Sequence, residues 1–111
     1  MLANTPKPPY YSVIFASEKV EVTAKNDAYD IMASQMLDLA ANQPGYLGVE
    51  TVANELGEGI TVSYWQSLET IEAWRDQADH KVAQKLGKEV WYKRYALRIA
   101  KVEKAYEFER D

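Results

Sequence analysis

Ala28, Ile31, Met32, Gln35, Met36, Leu39 and Ala40 recur at helical spacing and form one continuous stripe. Asn26 or Asp27 can cap the start of that helix, and Pro44-Gly45 ends it. A helix with a single stripe must lay it against a core or a sheet, and Met32 and Met36 read as filler on that face. On both sides of the helix the pattern turns extended. Residues 10–17, Y-Y-S-V-I-F-A-S, are β-branched and aromatic and read as a buried strand. Residues 46–53 and 60–65 read as two further strands. The intervening N-E-L-G-E-G holds two glycines, as expected where a hairpin loop needs positive φ.

A second helix follows. Ser67 is a good N-cap and Glu69 suits the helix dipole, but Thr70 stands where a capping box would want Glu or Gln, which predicts a partial cap. Leu68, Ile71 and Trp74 make its apolar face, and Asp79 starts a further helical segment through Val82, Leu86 and Val90. Residues 95–108 read as a long last strand whose alternation changes phase. Leu97 and Ile99 are apolar at odd positions, whereas Val102, Tyr106 and Phe108 are apolar at even ones. That shift predicts a β-bulge near Ala100-Lys101, or a strand whose far half leaves its own sheet and packs on another subunit. The order is α+β, a ferredoxin-like βαββαβ arrangement with an antiparallel sheet. Helices on one face leave the other bare, and a homodimer of two such sheets would cover it. Residues 1–9 carry three of the four prolines and read as an extended arm, and 10–111 as a single domain.

Composition removes several classes of function. A net charge of −4 lacks the surplus of Lys and Arg that phosphate neutralisation requires, so nucleic acid is not an expected partner. The absence of cysteine rules out disulfides, thiolate metal sites and cysteine nucleophiles. No apolar run approaches the ~20 residues of a membrane span, and the first residues lack the pattern of a signal peptide. No membrane partner and a cytoplasmic location are the expectations.

Residues 63–95 hold all three tryptophans, the one histidine and six of the thirteen lysines and arginines. His80 could act as a general base or a haem ligand, because neutral imidazole serves both roles near neutral pH. It could equally be a surface histidine with Asp76 or Gln84 one turn away. Trp65 and Trp74 suit the wall of a cavity for a flat aromatic ligand. Tyr64 could donate to a phenol or peroxide oxygen, or sit in an interface. Arg94 and Arg98 could hold a ligand carboxylate by bidentate pairing, or line a solvated strand edge. One histidine and scattered carboxylates make no metal cluster, and neither a serine elbow nor a glycine-rich phosphate loop is present.

The runs P-G-Y-L-G-V-E (residues 44–50), Y-W-Q-S-L-E-T-I-E-A-W (64–74) and D-H-K-V-A-Q-K-L-G-K-E-V-W-Y-K-R-Y (79–95) resemble the antibiotic biosynthesis monooxygenase family. The similarity spans residues 10 to 108. It implies a dimeric α/β barrel with a cavity between each sheet and its helices. It also implies oxidation of phenolic polycyclic substrates by O₂ with no cofactor required, or haem binding and degradation, though many members have no established reaction. A non-catalytic dimeric ligand-binding or stress module stays open beside these, since a fold does not fix a function. By this resemblance Trp65 matches the family's strand tryptophan, Trp74 the helix tryptophan of the haem degraders, and His80 a histidine frequent in this helical region. No asparagine stands in residues 10–17, where the haem degraders carry theirs, and His80 follows Trp74 by only six residues. The expected function is therefore a small O₂-dependent monooxygenase acting on an aromatic ligand, with His80 and Tyr64 as catalytic groups. Trp65, Trp74, Arg94 and Arg98 are the expected substrate-binding groups, with haem on His80 as the alternative.

Overall fold

The chain runs β1 (Tyr10–Lys19), α1 (Asp27–Ala41), β2 (Tyr46–Ala53), β3 (Glu58–Trp65), α2 (Leu68–Arg75) and β4 (Tyr92–Val102). This computed structural model describes residues 1–20, 27–77 and 91–110. Asn26 and the helical segment expected from Asp79 through Val90 lie outside the described residues. The four strands form one sheet in the order β2-β3-β1-β4, every neighbouring pair antiparallel. This is the ferredoxin-like split βαβ arrangement expected from the sequence.

Alternation along β1 divides the sheet into two faces. Val13 points toward the helices and joins Ala40, Trp65 and Ile71 in the core, with Tyr11, Tyr46, Trp74 and Leu97 packed around them. The even residues of β1 turn to the opposite face, which no helix covers among the described residues. There Tyr10 packs edge-on against Tyr64 (ring centroids 5.7 Å apart) and its hydroxyl meets that of Thr5 at 3.0 Å. The arm of residues 1–9 thus folds back over one end of this outer face. It is tied down again where Ala3 N–H donates to Glu50 at 3.1 Å.

Four details differ from the sequence reading. The inward face of α1 is turned by about one residue, so Met32, Ala33, Met36 and Ala40 face the sheet while Ile31 and Gln35 are exposed. The hairpin uses one positive-φ glycine, Gly57 (φ 84°). Gly59 is instead a strand residue, and Asn54 builds the turn by accepting from the amides of Leu56 and Glu58. The cap of α2 is complete, because the Thr70 hydroxyl is long enough to accept from Ser67 N–H at 3.3 Å while Thr70 N–H donates to Ser67 Oγ at 3.2 Å.

The fourth concerns β4. It begins at Tyr92 and carries its only register shift opposite Glu18/Lys19, with no bulge at Ala100-Lys101. The phase change is resolved by the strand ending. Val102 pairs with Tyr10, and the next partners in the ladder would be Pro9 and Pro8, which have no N–H to donate. Residues 103–110 leave the sheet, as the expected alternative to a bulge has it, with Tyr106 and Phe108 exposed.

Candidate functional site

Between the helix-facing side of the sheet and α1 lies a cavity of about 420 Å³. Its long direction follows β1. At one end Trp65 stands opposite Tyr11, fully buried, and stacks on Trp74 of α2 with centroids 5.0 Å apart and planes 26° from parallel. Tyr46 closes that end by meeting Trp65 edge-on at 5.7 Å. Burial raises the pKa of the Tyr46 phenol, which keeps the hydroxyl protonated.

At the other end Phe15, Tyr92 and Tyr95 form a second aromatic cluster, with centroid separations between 5.2 and 5.7 Å. Tyr95 stands opposite Ser17 on β1, six positions along from Tyr11 and therefore roughly 20 Å away at the rise of an extended strand. Met32 and Met36 face the cavity from α1, and soft thioethers adapt to a planar ring pressed against them.

The floor between the two clusters carries hydroxyls. Thr51 and Thr61 face each other across β2 and β3 with their Oγ1 atoms 2.8 Å apart, and Ser63, two residues on, lies nearer the indoles. Ser63 Oγ accepts the indole N–H of Trp65 at 2.8 Å. The flanking residues, Val13 on β1 and Val49 on β2, are both valines. Sequence reasoning passed over Ser63 because it sought a serine nucleophile. The signal that was there is Ser-X-Trp on one strand, which puts hydroxyl and indole side by side on the same face.

The expected site residues fall into three groups. Trp65 and Trp74 are brought together, Trp74 lining the cavity and Trp65 backing it. Tyr64, Arg94 and Arg98 lie on the outer face. Tyr64 O–H donates to Glu50 at 2.6 Å, and burial, followed by that bond and the carboxylate's charge, raises its pKa well above the ordinary value. Arg94 and Arg98 line an open outer groove with Glu18 and Glu58, as alternation along β4 requires when Tyr95 and Leu97 point into the cavity. His80 lies outside the described residues. Among the described residues no group of three or more His, Cys, Asp or Glu side chains could hold a metal ion, and no helix is long and apolar enough to cross a membrane.

Residues 21–86 match the model of the family described as antibiotic biosynthesis monooxygenase. The chain is also 50% identical over 103 residues to the uncharacterized protein YqjZ of Bacillus subtilis, covering 93% of this chain and 88% of that one. The chain belongs to the antibiotic biosynthesis monooxygenase family. Its fold is shared with the cofactor-independent oxygenase SnoaB of Streptomyces nogalater (TM-score 0.72, 7% identity), over 88% of this chain and 97% of that one. It is likewise shared with a dimeric ferredoxin-like protein of unknown function from Thermobifida fusca (TM-score 0.67, 15% identity), over 92% and 100% of the two chains.

Proposed function

We propose that this protein is a small homodimeric monooxygenase that inserts oxygen from O₂ into a flat aromatic or polycyclic molecule held in the helix–sheet cavity. The observation that carries this reading is the cavity itself: an indole wall at one end, a tyrosine–phenylalanine cluster at the other and hydroxyls between them. Such a lining favours a planar, largely apolar ring system with a few oxygen substituents. Membership of the family supports oxygenase chemistry, and the fold shared with a cofactor-independent oxygenase supports a reaction that needs no cofactor.

The chemistry would start at an acidic C–H₂ carbon of the ring system. His80, as general base, takes one proton, and the resulting carbanion gives its electron pair to O₂, forming a C–O bond. The proton returns to the distal oxygen to give a hydroperoxide, and loss of water leaves a carbonyl on the carbon. One oxygen atom enters the product and the other leaves as water. Trp74 would hold the ring, Trp65 would back that indole, and the apolar aromatic walls would limit bulk water at the carbanion. In this proposal Tyr64, Arg94 and Arg98 serve the outer face and the pairing of two sheets.

A non-catalytic binding module is the second reading. It is favoured by the fold, which is shared with a dimeric ferredoxin-like protein of unknown function and does not by itself fix a reaction. The haem alternative rests on His80, the one histidine of the chain. Oxygen uptake with a panel of hydroxylated polycyclics tests the proposal. Uptake that needs both substrate and protein and falls at least tenfold in His80→Ala is expected. Binding of the panel without uptake would leave the binding module, and a stoichiometric Soret band lost in His80→Ala would replace the cofactor-free reading with haem.

A further inference from the structure

We infer that Ser63 selects the cavity's ligand by donating its hydroxyl proton to a keto oxygen on the edge of the aromatic ring. This deepens the proposed reading, because it assumes the same cavity holds the ligand. Ser63 is only 6% exposed, yet it lines the cavity floor. The indole N–H of Trp65 is a donor with no acceptor capacity, and it occupies one side of Ser63 Oγ at 2.8 Å. Trp65 is fully buried, so water does not compete for that bond. The serine hydrogen must then point away from the indole.

Its alternatives within the protein are few. Val13 and Val49 flank Ser63 in the sheet and offer no side-chain acceptor. The next hydroxyl along β3, that of Thr61, is engaged with Thr51 at 2.8 Å. No acceptor for the Ser63 proton stands among the described residues, so the proton is directed into the cavity. Leaving such a donor unmet is costly in an apolar enclosure, and an acceptor on the ligand removes that cost. A ring carrying only carbon and hydrogen cannot do so, and a ligand group that can only donate leaves the serine proton unmet. The ligand class that satisfies the site is a planar aromatic ketone, its flat face toward Trp74 and its carbonyl toward Ser63.

Fluorenone and fluorene, a planar ketone and the same skeleton without oxygen, separate the possibilities. Affinity is read from quenching of the tryptophan fluorescence, and the infrared carbonyl stretch of bound fluorenone reads the hydrogen bond directly. The wild-type protein is expected to prefer fluorenone by about tenfold, the value of one hydrogen bond. Ser63→Ala should abolish that preference with fluorene affinity unchanged, and Ser63→Thr should keep it. The carbonyl stretch should lie lower in the wild type than in Ser63→Ala. Equal binding of the two rings by the wild type, or a preference that survives in Ser63→Ala, would overturn the inference and leave the cavity reading standing. Failure of both rings to bind would overturn both. If Ser63→Ala does not fold, the wild-type stretch decides: a frequency equal to that in a dry aprotic solvent would refute the bond to Ser63.

Discussion

Trp65 and Trp74 stack face to face at 5.0 Å, so a strand residue with no exposed surface sets the plane of a helix residue that borders the cavity. Removing Trp74 therefore acts on fold and site together. Trp74→Ala is expected to cost about 3 kcal/mol, the usual scale for truncating a large core aromatic, read as a lower denaturant midpoint. Trp74→Phe keeps a ring on Trp65 and should recover at least half of that loss. Ligand binding should follow the same order.

Gly45 and Thr70 make a second coupling between β2 and α2. Gly45 has φ +85°, and a Cβ built there would lie 2.4 Å from the Thr70 methyl. Its carbonyl also accepts from Gln66 N–H at 2.8 Å, which ties the end of β3 to the start of β2. Gly45→Ala should lower stability by about 2 kcal/mol, from backbone strain and from displacing the residue that completes the α2 cap. The check is a thermal melt of the two proteins. In a Thr70→Ala background the added effect of Gly45→Ala should shrink only in part, since the contacts to the Thr70 methyl and hydroxyl are gone while the 2.6 Å contact to its Cβ and the strained φ remain.

What was legible in the sequence follows from what is local. Strand and helix order could be read from alternation and helical spacing, and the Pro44-Gly45 stop from backbone chemistry. The end of β4 could not, because it depends on Pro8 and Pro9, prolines some ninety positions earlier that stand where its next ladder partners would be. The site was half legible. Trp65 and Trp74 were picked for their rarity and do meet. Tyr64 is the immediate neighbour of Trp65 and therefore points the other way, a consequence of strand alternation that residue type alone does not reveal. Arg94 and Arg98 share the outer face for the same reason. Ser63 went unmarked because its role comes from the indole two residues later.

Tyr64 gives the protein an alkaline weakness. Burial and the Glu50 carboxylate raise its pKa, so the folded state favours the neutral phenol more than the unfolded chain does. The resulting stability is fully present below the unfolded pKa of about 10 and is lost as pH climbs from there toward the folded value. Wild type should therefore lose stability steeply above about pH 10, and Tyr64→Phe should show a flatter profile there while being less stable at pH 7. Urea midpoints across that range test this, and parallel curves for the two proteins would contradict it. Because Glu50 also accepts from Ala3 N–H, proteolysis of the arm should quicken over the same interval.

The outer face tests the pairing of two sheets. Ile60 and Val52 stand opposite each other on β3 and β2, at 49% and 53% exposed, and Ala16 and Ala96 continue the apolar strip toward β4. Arg94 and Glu58 edge that strip on one side and Arg98 on the other, so a two-fold partner can set acid against base at the rims while the strips meet. Ile60→Asp places a charge in the middle of the proposed contact but at a site already half in water within one chain. It should turn a dimer into a monomer at micromolar concentration, with the melting temperature of the chain itself little changed once concentration dependence is removed. Sedimentation velocity distinguishes the outcomes. A wild type that sediments as a monomer, or an Ile60→Asp variant that remains a dimer, would show that the outer face is not where two copies meet.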